Sequence, residues 1–223
     1  MRRDSIIAAL LSFNGGFVDT AGFVGLQGLF TAHVTGNFVT MGAALVFGTQ
    51  GFLAKLLALP EFIVVIALAR WLGTVLRARQ KAALPVLLGA KVALLFAFFV
   101  IAVALGPFPN SDTPAALLAG FAGVAAMAVQ NAAHRVHFPT LPPSTLMTGN
   151  TTQAVLDAVD LVLGVNRDNT ALVRTRLLRT LSGIGFFALG CAMAAGLFLA
   201  VGFWCLAIPV VVGVASAVIR PET

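Results

Sequence analysis

The sequence predicts an all-α integral membrane protein, with six transmembrane helices and two re-entrant half-helices arranged as a 3+3 inverted-topology repeat. Three observations support this prediction: a very apolar composition, six apolar runs of membrane-spanning length, and a tripeptide that recurs at equivalent places in both halves. Of the 223 residues, 59% are hydrophobic and 10% are charged, whereas about a quarter of an average soluble domain is charged. This composition excludes an ordinary soluble enzyme, a disordered chain and a disulfide-stapled secreted module.

The net charge of +6 comes from 14 basic residues that are scattered among the apolar runs. They form no basic face, so we expect no nucleic-acid partner and assign them to orientation in the bilayer. The two cysteines, Cys191 and Cys205, lie inside apolar runs and indicate neither a redox pair nor a metal site. The sequence contains no nucleophile–base pair, metal cluster or phosphate loop, and we therefore expect neither enzyme activity nor a cofactor.

Runs of about 20 apolar residues identify the six spans. They lie at residues 5–27, 54–76, 84–106, 114–133, 177–199 and 201–219. Two shorter apolar stretches, 38–48 and 151–164, are too short to cross a bilayer comfortably, because about 15 helical residues cover only about 22 Å. We interpret them as half-helices that enter the membrane to mid-depth and leave on the same side.

The basic residues predict that both termini are cytoplasmic, because this orientation places most of them inside. The residues on the inner side are Arg2, Arg3, Arg77, Arg79, Lys81, Arg135, Arg167, Arg174, Arg176, Arg179 and Arg220. Only Lys55 falls outside, while Arg70 and Lys91 lie within spans, close enough to the cytoplasmic ends to reach the interface. An alternative with eight spans would place Arg77, Arg79 and Lys81 outside, and the charge distribution disfavours it.

The two halves of the chain follow one plan. Residues 1–112 and 113–223 each contain a span, a connector, the tripeptide Thr-Gly-Asn, a short helix and two further spans. The tripeptide stands at 35–37 and again at 148–150. Because each half has an odd number of spans, the second half is inverted relative to the first, as in many membrane transporters. We treat the two halves as one structural domain.

The connectors before the short helices, 28–34 and 134–147, are expected to carry extended backbone from the membrane surface to mid-depth. Such backbone is tolerated only where it is buried in protein or lines a cavity. The half-helices would then meet at the midplane and offer unpaired N–H groups to an anionic or polar solute. Alternatively, Thr-Gly-Asn only caps each helix and permits close packing, and either Thr or Asn is then the capping residue.

The predicted substrate site combines the two tripeptides with polar residues of the spans before them. The candidate residues are Asn14, Gly15, Gly16, Asp19, Thr35, Gly36, Asn37, Gln130, Asn131, Thr148, Gly149 and Asn150. Asp19 lies near mid-depth, where an ionisable residue is costly and usually functional, and it is the candidate for proton coupling with His33 as a second group. Alternatively, both residues have structural roles. Asp19 then forms a hydrogen bond with a facing turn, and His33 donates to a backbone carbonyl. For Asp157 and Asp160 we expect local ion pairs with nearby arginines.

The candidate residues of the substrate site and His33 lie in four segments, 13–22, 31–37, 129–133 and 146–150. These segments resemble the YoaK-like family of bacterial inner-membrane proteins, also called the DUF1275 family. The resemblance covers nearly the whole chain and implies six spans in a bacterial cytoplasmic membrane. It implies no mechanism, because the family has no firmly assigned substrate. Where the family more often has Asp-Ala, this chain has Asp19-Thr20.

The function expected from these patterns is a secondary transporter or facilitator of a small polar or anionic solute, with proton coupling assigned to Asp19. A passive channel built on paired half-helices is the nearest alternative. A membrane scaffold or accessory subunit that transports nothing is another. The expected partners are the lipid bilayer and a small-molecule solute, and the sequence is also compatible with a homo-oligomer.

Overall fold

The computed structural model describes residues 3–165 and 169–219, and all regular secondary structure in these ranges is helical. Arg2, Arg167 and Arg220, which the orientation argument uses, lie outside the described residues. The α-helices are α1 (Arg3–Gly25), α2 (Gly36–Phe47), α3 (Phe52–Ala78), α4 (Ala83–Leu105), α5 (Pro114–His137), α6 (Met147–Leu163), α7 (Thr170–Val201) and α8 (Ala207–Val218). A 3-10 helix, Gly202–Leu206, joins α7 to α8.

The bounds of most helices agree with the predicted spans to within a few residues, but α5 and α7 are longer than predicted, and α8, which has 12 residues, is shorter than the predicted span 201–219. α5 continues to His137 and α7 begins at Thr170. Hydropathy marks only the part of a helix that matches the hydrocarbon core, so polar turns that continue the helix escape it. As a result, the second connector is shorter than predicted and covers residues 138–146.

Within the described residues, five helical stretches are long and apolar enough to cross a membrane: α1, α3, α4, α5 and the continuous stretch Thr170–Val218. These stretches indicate a multi-pass membrane protein. The last contains 49 residues, which is about twice the length that one span needs. Its helix is interrupted at Gly202, where φ is 58° and ψ is −140°. α2 is apolar but has only 12 residues.

The first helix of each half of the chain packs against helices of the other half. α1 lies against α7 and α8, whereas α5 lies against α3 and α4. Each short helix packs on the long helix that follows it, α2 on α3 and α6 on α7. α1 and α5 also contact each other and are the most buried of the long helices. The chain therefore forms one interlocked bundle with α1 and α5 at its centre.

The contact between α1 and α7 is close because each helix presents a glycine to the backbone of the other. A Cβ atom on Gly16 would collide with the carbonyl oxygen of Phe187, and one on Gly190 would collide with that of Phe13. Small residues at such positions let transmembrane helices pack closely. Gly16, a predicted substrate-binding residue, is buried in this contact.

Candidate functional site

Both connectors pass along α1 and α5 at the centre of the bundle. Thr31 of the first connector is fully buried and packs between Gly22 of α1 and Gly123 of α5. In the second connector, the carbonyl oxygen of Ser144 lies 3.0 Å from the position that a Cβ on Gly15 would occupy. Gly15, another predicted site residue, is thus where the second connector presses against α1.

Asp19 of α1 holds the first connector in place. Its Oδ1 accepts hydrogen bonds from the backbone N–H groups of Thr31 at 2.8 Å, Ala32 at 2.7 Å and His33 at 3.3 Å. Its Oδ2 lies 2.6 Å from Nδ1 of His33. The Asp19 side chain is 6% exposed, whereas the His33 side chain is 35% exposed. The carboxylate therefore positions the connector, and the imidazole is the member of the pair that reaches open space.

Neutral side chains of α5 hold the second connector at corresponding places. Thr145 donates from Oγ1 to Oδ1 of Asn131 at 2.7 Å, and Gln130 donates from Nε2 to Oγ of Ser144 at 3.1 Å. Both pairs are separated by 14 residues in the chain, as are Asp19 and His33. Ser144 and Thr145 were not among the predicted site residues, although this repeated spacing is the signal that could have identified them.

The asparagines of the two tripeptides bond to the connectors. Asn37 donates from Nδ2 to the carbonyl of Phe30 at 2.9 Å and accepts from the N–H of Phe30 at 2.8 Å. Asn150 donates from Nδ2 to the carbonyl of Pro143 at 2.8 Å. In each case the partner lies seven residues back in the chain, so the amide ties the start of the short helix to the connector.

The expectation that Thr or Asn caps each short helix is wrong. Thr35 is the N-cap residue of α2 but makes no side-chain cap hydrogen bond. In the second half, α6 begins at Met147, before the tripeptide, and its N-cap residue Leu146 has no side chain that could form such a bond. Asn37 and Asn150 lie within α2 and α6, after the N-cap positions, and their Nδ2 groups donate to the connector backbone.

A cavity of about 380 Å³ lies where the two connectors meet α3 and α5. The first connector contributes His33 and Thr35, and the second contributes Thr145. The rest of the lining is Ala32, Val34, Leu59, Phe62, Ile66, Arg70, Asn131, Ala132, Arg135, Val136 and Leu146. Side chains from both halves of the chain thus line one space, with polar groups on the connectors and an apolar wall on α3. We call this space the connector cavity.

Some of the predicted site residues lie at the connector cavity. His33, Thr35 and Asn131 line it, and Asp19 lies directly behind His33. Gly36 and Asn37 lie next to it in the chain, where Gly36 packs against the ring of Phe30. These residues of the first half, together with Asn131, form the part of the predicted site that the structure brings together.

Other predicted site residues lie elsewhere. Asn14 and Gln130 are fully buried and donate to backbone carbonyls, Asn14 to Pro209 at 3.0 Å and Gln130 to Leu11 at 2.8 Å. Gly149 and Asn150 line a second cavity, between the second connector and α7. Thr148 is exposed. The tripeptide of the second half therefore does not reach the connector cavity as the tripeptide of the first half does.

Arg70 and Arg135 line the connector cavity, although neither was among the predicted site residues. Within the described parts of the chain, neither guanidinium has a carboxylate oxygen within 4.0 Å. Arg176 of α7 differs, because its Nε donates to Oδ2 of Asp157 at 2.8 Å and joins α7 to α6. The local ion pair expected for Asp157 is thus confirmed.

Comparison with known proteins places the chain in a family. No curated protein and no solved structure matches it. The family model described as "Protein of unknown function (DUF1275)" matches residues 7–219. This range contains the two tripeptides, both connectors and all the residues of the connector cavity. The chain belongs to the DUF1275 family.

Proposed function

We propose that this protein is a secondary transporter or facilitator of a small polar or anionic solute. The observation that carries the proposal is the connector cavity, which His33 and Thr35 line from one half of the chain and Asn131 and Thr145 from the other. Transporters built from inverted repeats bind their solutes where irregular segments of the two halves meet near the midplane. Polar groups at that depth are costly unless they serve a cavity or are satisfied within the protein.

In the proposed topology α7 and α8 are separate spans, which gives six spans with both termini in the cytoplasm of a bacterial cell. The break at Gly202 supports this division, as does the packing of α8 on α4 and of α7 on α6. α2 and α6 re-enter the membrane from opposite sides. Exchanging α1 with α5, α2 with α6, α3 with α7 and α4 with α8 turns most of the helix–helix contacts into other contacts that the bundle also makes, which supports a repeat of one plan in the two halves.

In the proposed mechanism, proton coupling through Asp19 operates by way of His33. The imidazole both contacts Asp19 and lines the cavity, and histidine exchanges protons close to neutral pH. A protonated ring favours an anionic solute in the cavity, and loss of the proton favours its release. Asp19 acts as a positioning residue, because its hydrogen bonds go to the connector and to His33.

Uptake into proteoliposomes tests this proposal. The purified protein should accelerate the entry of at least one solute from a panel of short-chain carboxylates, inorganic phosphate, polyols and amino acids. A pH gradient should raise accumulation by the wild type and should not do so for Asp19→Asn or His33→Gln. Asp157→Asn is the matched control, because it removes a carboxylate that lies outside the connector cavity.

Two results would contradict parts of the proposal. Flux that responds neither to the gradient nor to Asp19→Asn and His33→Gln would overturn proton coupling and identify a passive channel. If the folded protein moves no solute of the panel, and Asn37→Ala and Asn150→Ala affect only stability, transport is overturned in favour of a scaffold.

A further inference from the structure

We propose that the solute of the connector cavity is a small organic carboxylate, held by Arg70 and Arg135 with its apolar body against Leu59, Phe62 and Ile66. This inference rests on the proposed function and narrows its solute class. Both arginines lie outside the set of polar residues that the sequence pattern selects for the site.

The first argument is charge. Arg70 and Arg135 line the cavity without a carboxylate oxygen within 4.0 Å in the described parts of the chain. Both arginine residues are exposed, so each guanidinium is open to a solute and carries a positive charge without a nearby counter-charge. Asp19 does not supply it, because its oxygens bond to the first connector and to His33. Glu61 does not supply it either, because its buried Oε2 has no hydrogen-bond partner among the described residues. An anionic solute would provide the missing charge.

The second argument is the geometry of the donors. The planar guanidinium donates two parallel hydrogen bonds, which match the two oxygens of a carboxylate or the oxygens of a phosphate. His33 and Thr35 also line the cavity, and neither Nε2 of His33 nor the hydroxyl of Thr35 makes a hydrogen bond to another described residue. Arg70, Arg135, His33 and Thr35 together therefore offer several donors to an oxyanion.

The third argument is the apolar wall, which favours a carboxylate over an inorganic oxyanion. Leu59, Phe62 and Ile66 of α3 contribute apolar side chains to the lining of the cavity. A short alkyl or aryl body would cover these side chains and gain the free energy of apolar burial, which phosphate cannot do. The volume of about 380 Å³ lies within the usual range for small-molecule sites.

Propionate and propionamide provide a matched pair of probes, because they have nearly the same shape and only propionate is charged. We expect sodium propionate to raise the unfolding temperature of the full-length protein in detergent, with NaCl matching the ionic strength. Propionamide should leave the unfolding temperature unchanged. Equal stabilisation by both probes would overturn the proposal. Stabilisation by inorganic phosphate without stabilisation by propionate would also overturn the carboxylate assignment.

Arginine variants test the assigned residues. Arg70→Gln and Arg135→Gln should each weaken propionate binding about tenfold or more, because each removes a charge-assisted pair of hydrogen bonds. Arg79→Gln is the control, since Arg79 follows α3 and does not line the cavity. The same affinity in all three variants would overturn the proposal. If Arg135→Gln does not fold, Arg135→Lys takes its place. Lysine keeps the charge but lacks the paired N–H donors of the guanidinium, so the loss of affinity should be smaller than the loss expected for glutamine.

Binding and uptake separate this inference from the proposed function. Propionate binding that requires Arg70 and Arg135, without uptake of any solute, would overturn transport and leave the carboxylate assignment in place. Uptake of neutral solutes by a protein that does not bind propionate would overturn the carboxylate assignment and leave transport in place.

Discussion

The two connectors are held by the same plan of hydrogen bonds but by different chemistry. In each half, a side chain of the preceding helix bonds to a connector residue 14 positions later, and an asparagine bonds to the backbone seven positions earlier. In the first half the 14-residue pair is Asp19 with His33. In the second half it is Asn131 with Thr145, and prolines at 139, 142 and 143 also keep that connector out of a helix.

This difference shows that an ionisable pair is not required to hold a connector along α1 and α5. Amides and hydroxyls hold the second connector, and they carry no charge that would be costly at mid-depth. The use of Asp19 and His33 in the first half therefore calls for a reason beyond folding. The proposed function supplies one, because His33 lines the connector cavity and a change in its protonation would alter the charge that a solute meets there.

The largest expected effect on stability comes from removing the anchor of the first connector, which is Asp19; the corresponding anchor of the second connector is Asn131. Asp19→Ala leaves three backbone N–H groups of the first connector without a partner, and each such group costs about 1–3 kcal/mol. Asn131→Ala frees only the hydroxyl of Thr145 at the connector and should cost about 1–3 kcal/mol in total. Denaturant unfolding in detergent measures both. Equal losses would show that the two anchors are equivalent and would remove the contrast between them.

A smaller difference is expected between the two tripeptide asparagines. Asn37→Ala removes two hydrogen bonds to Phe30, whereas Asn150→Ala removes one to Pro143 and a weak one to Sδ of Met147 at 3.8 Å. Since each bond contributes about 0.5–1.5 kcal/mol, Asn37→Ala should lower the free energy of unfolding more than Asn150→Ala. The same unfolding assay ranks the two variants, and the reverse order would be evidence against the bonds described for the first connector.

The smallest expected effect on stability belongs to the tripeptide threonines. Thr35→Ala and Thr148→Ala remove side chains that cap no helix, so each should change stability by less than about 0.5 kcal/mol. Only Thr35 lines the connector cavity. Thr35→Ala should therefore weaken propionate binding, whereas Thr148→Ala should not. Equal affinities would mean that the first tripeptide does not contact the solute.

Much of the helical architecture could be predicted from the sequence, because apolar run length and the repeated tripeptide are local signals. They predicted the places of the long apolar helices and of both short helices, and they selected Asp19, His33 and Asn131, which lie at or directly behind the connector cavity. The chain could not reveal that α1 and α5 pack across the halves, since that depends on long-range contacts. For the same reason Arg70 and Arg135 were assigned to orientation: a lone arginine near the end of a span has the same local pattern in either role.

The most direct test of the account is whether one solute protects both connectors. With Cys191 and Cys205 replaced by alanine, Thr35→Cys and Leu146→Cys place a thiol on each side of the connector cavity, and Thr148→Cys provides a control outside it. Labelling by a water-soluble thiol reagent is followed with and without propionate. We predict that propionate slows labelling at 35 and at 146 and leaves 148 unchanged. Protection at neither connector, or equal protection at all three positions, would contradict a solute site shared by the two halves.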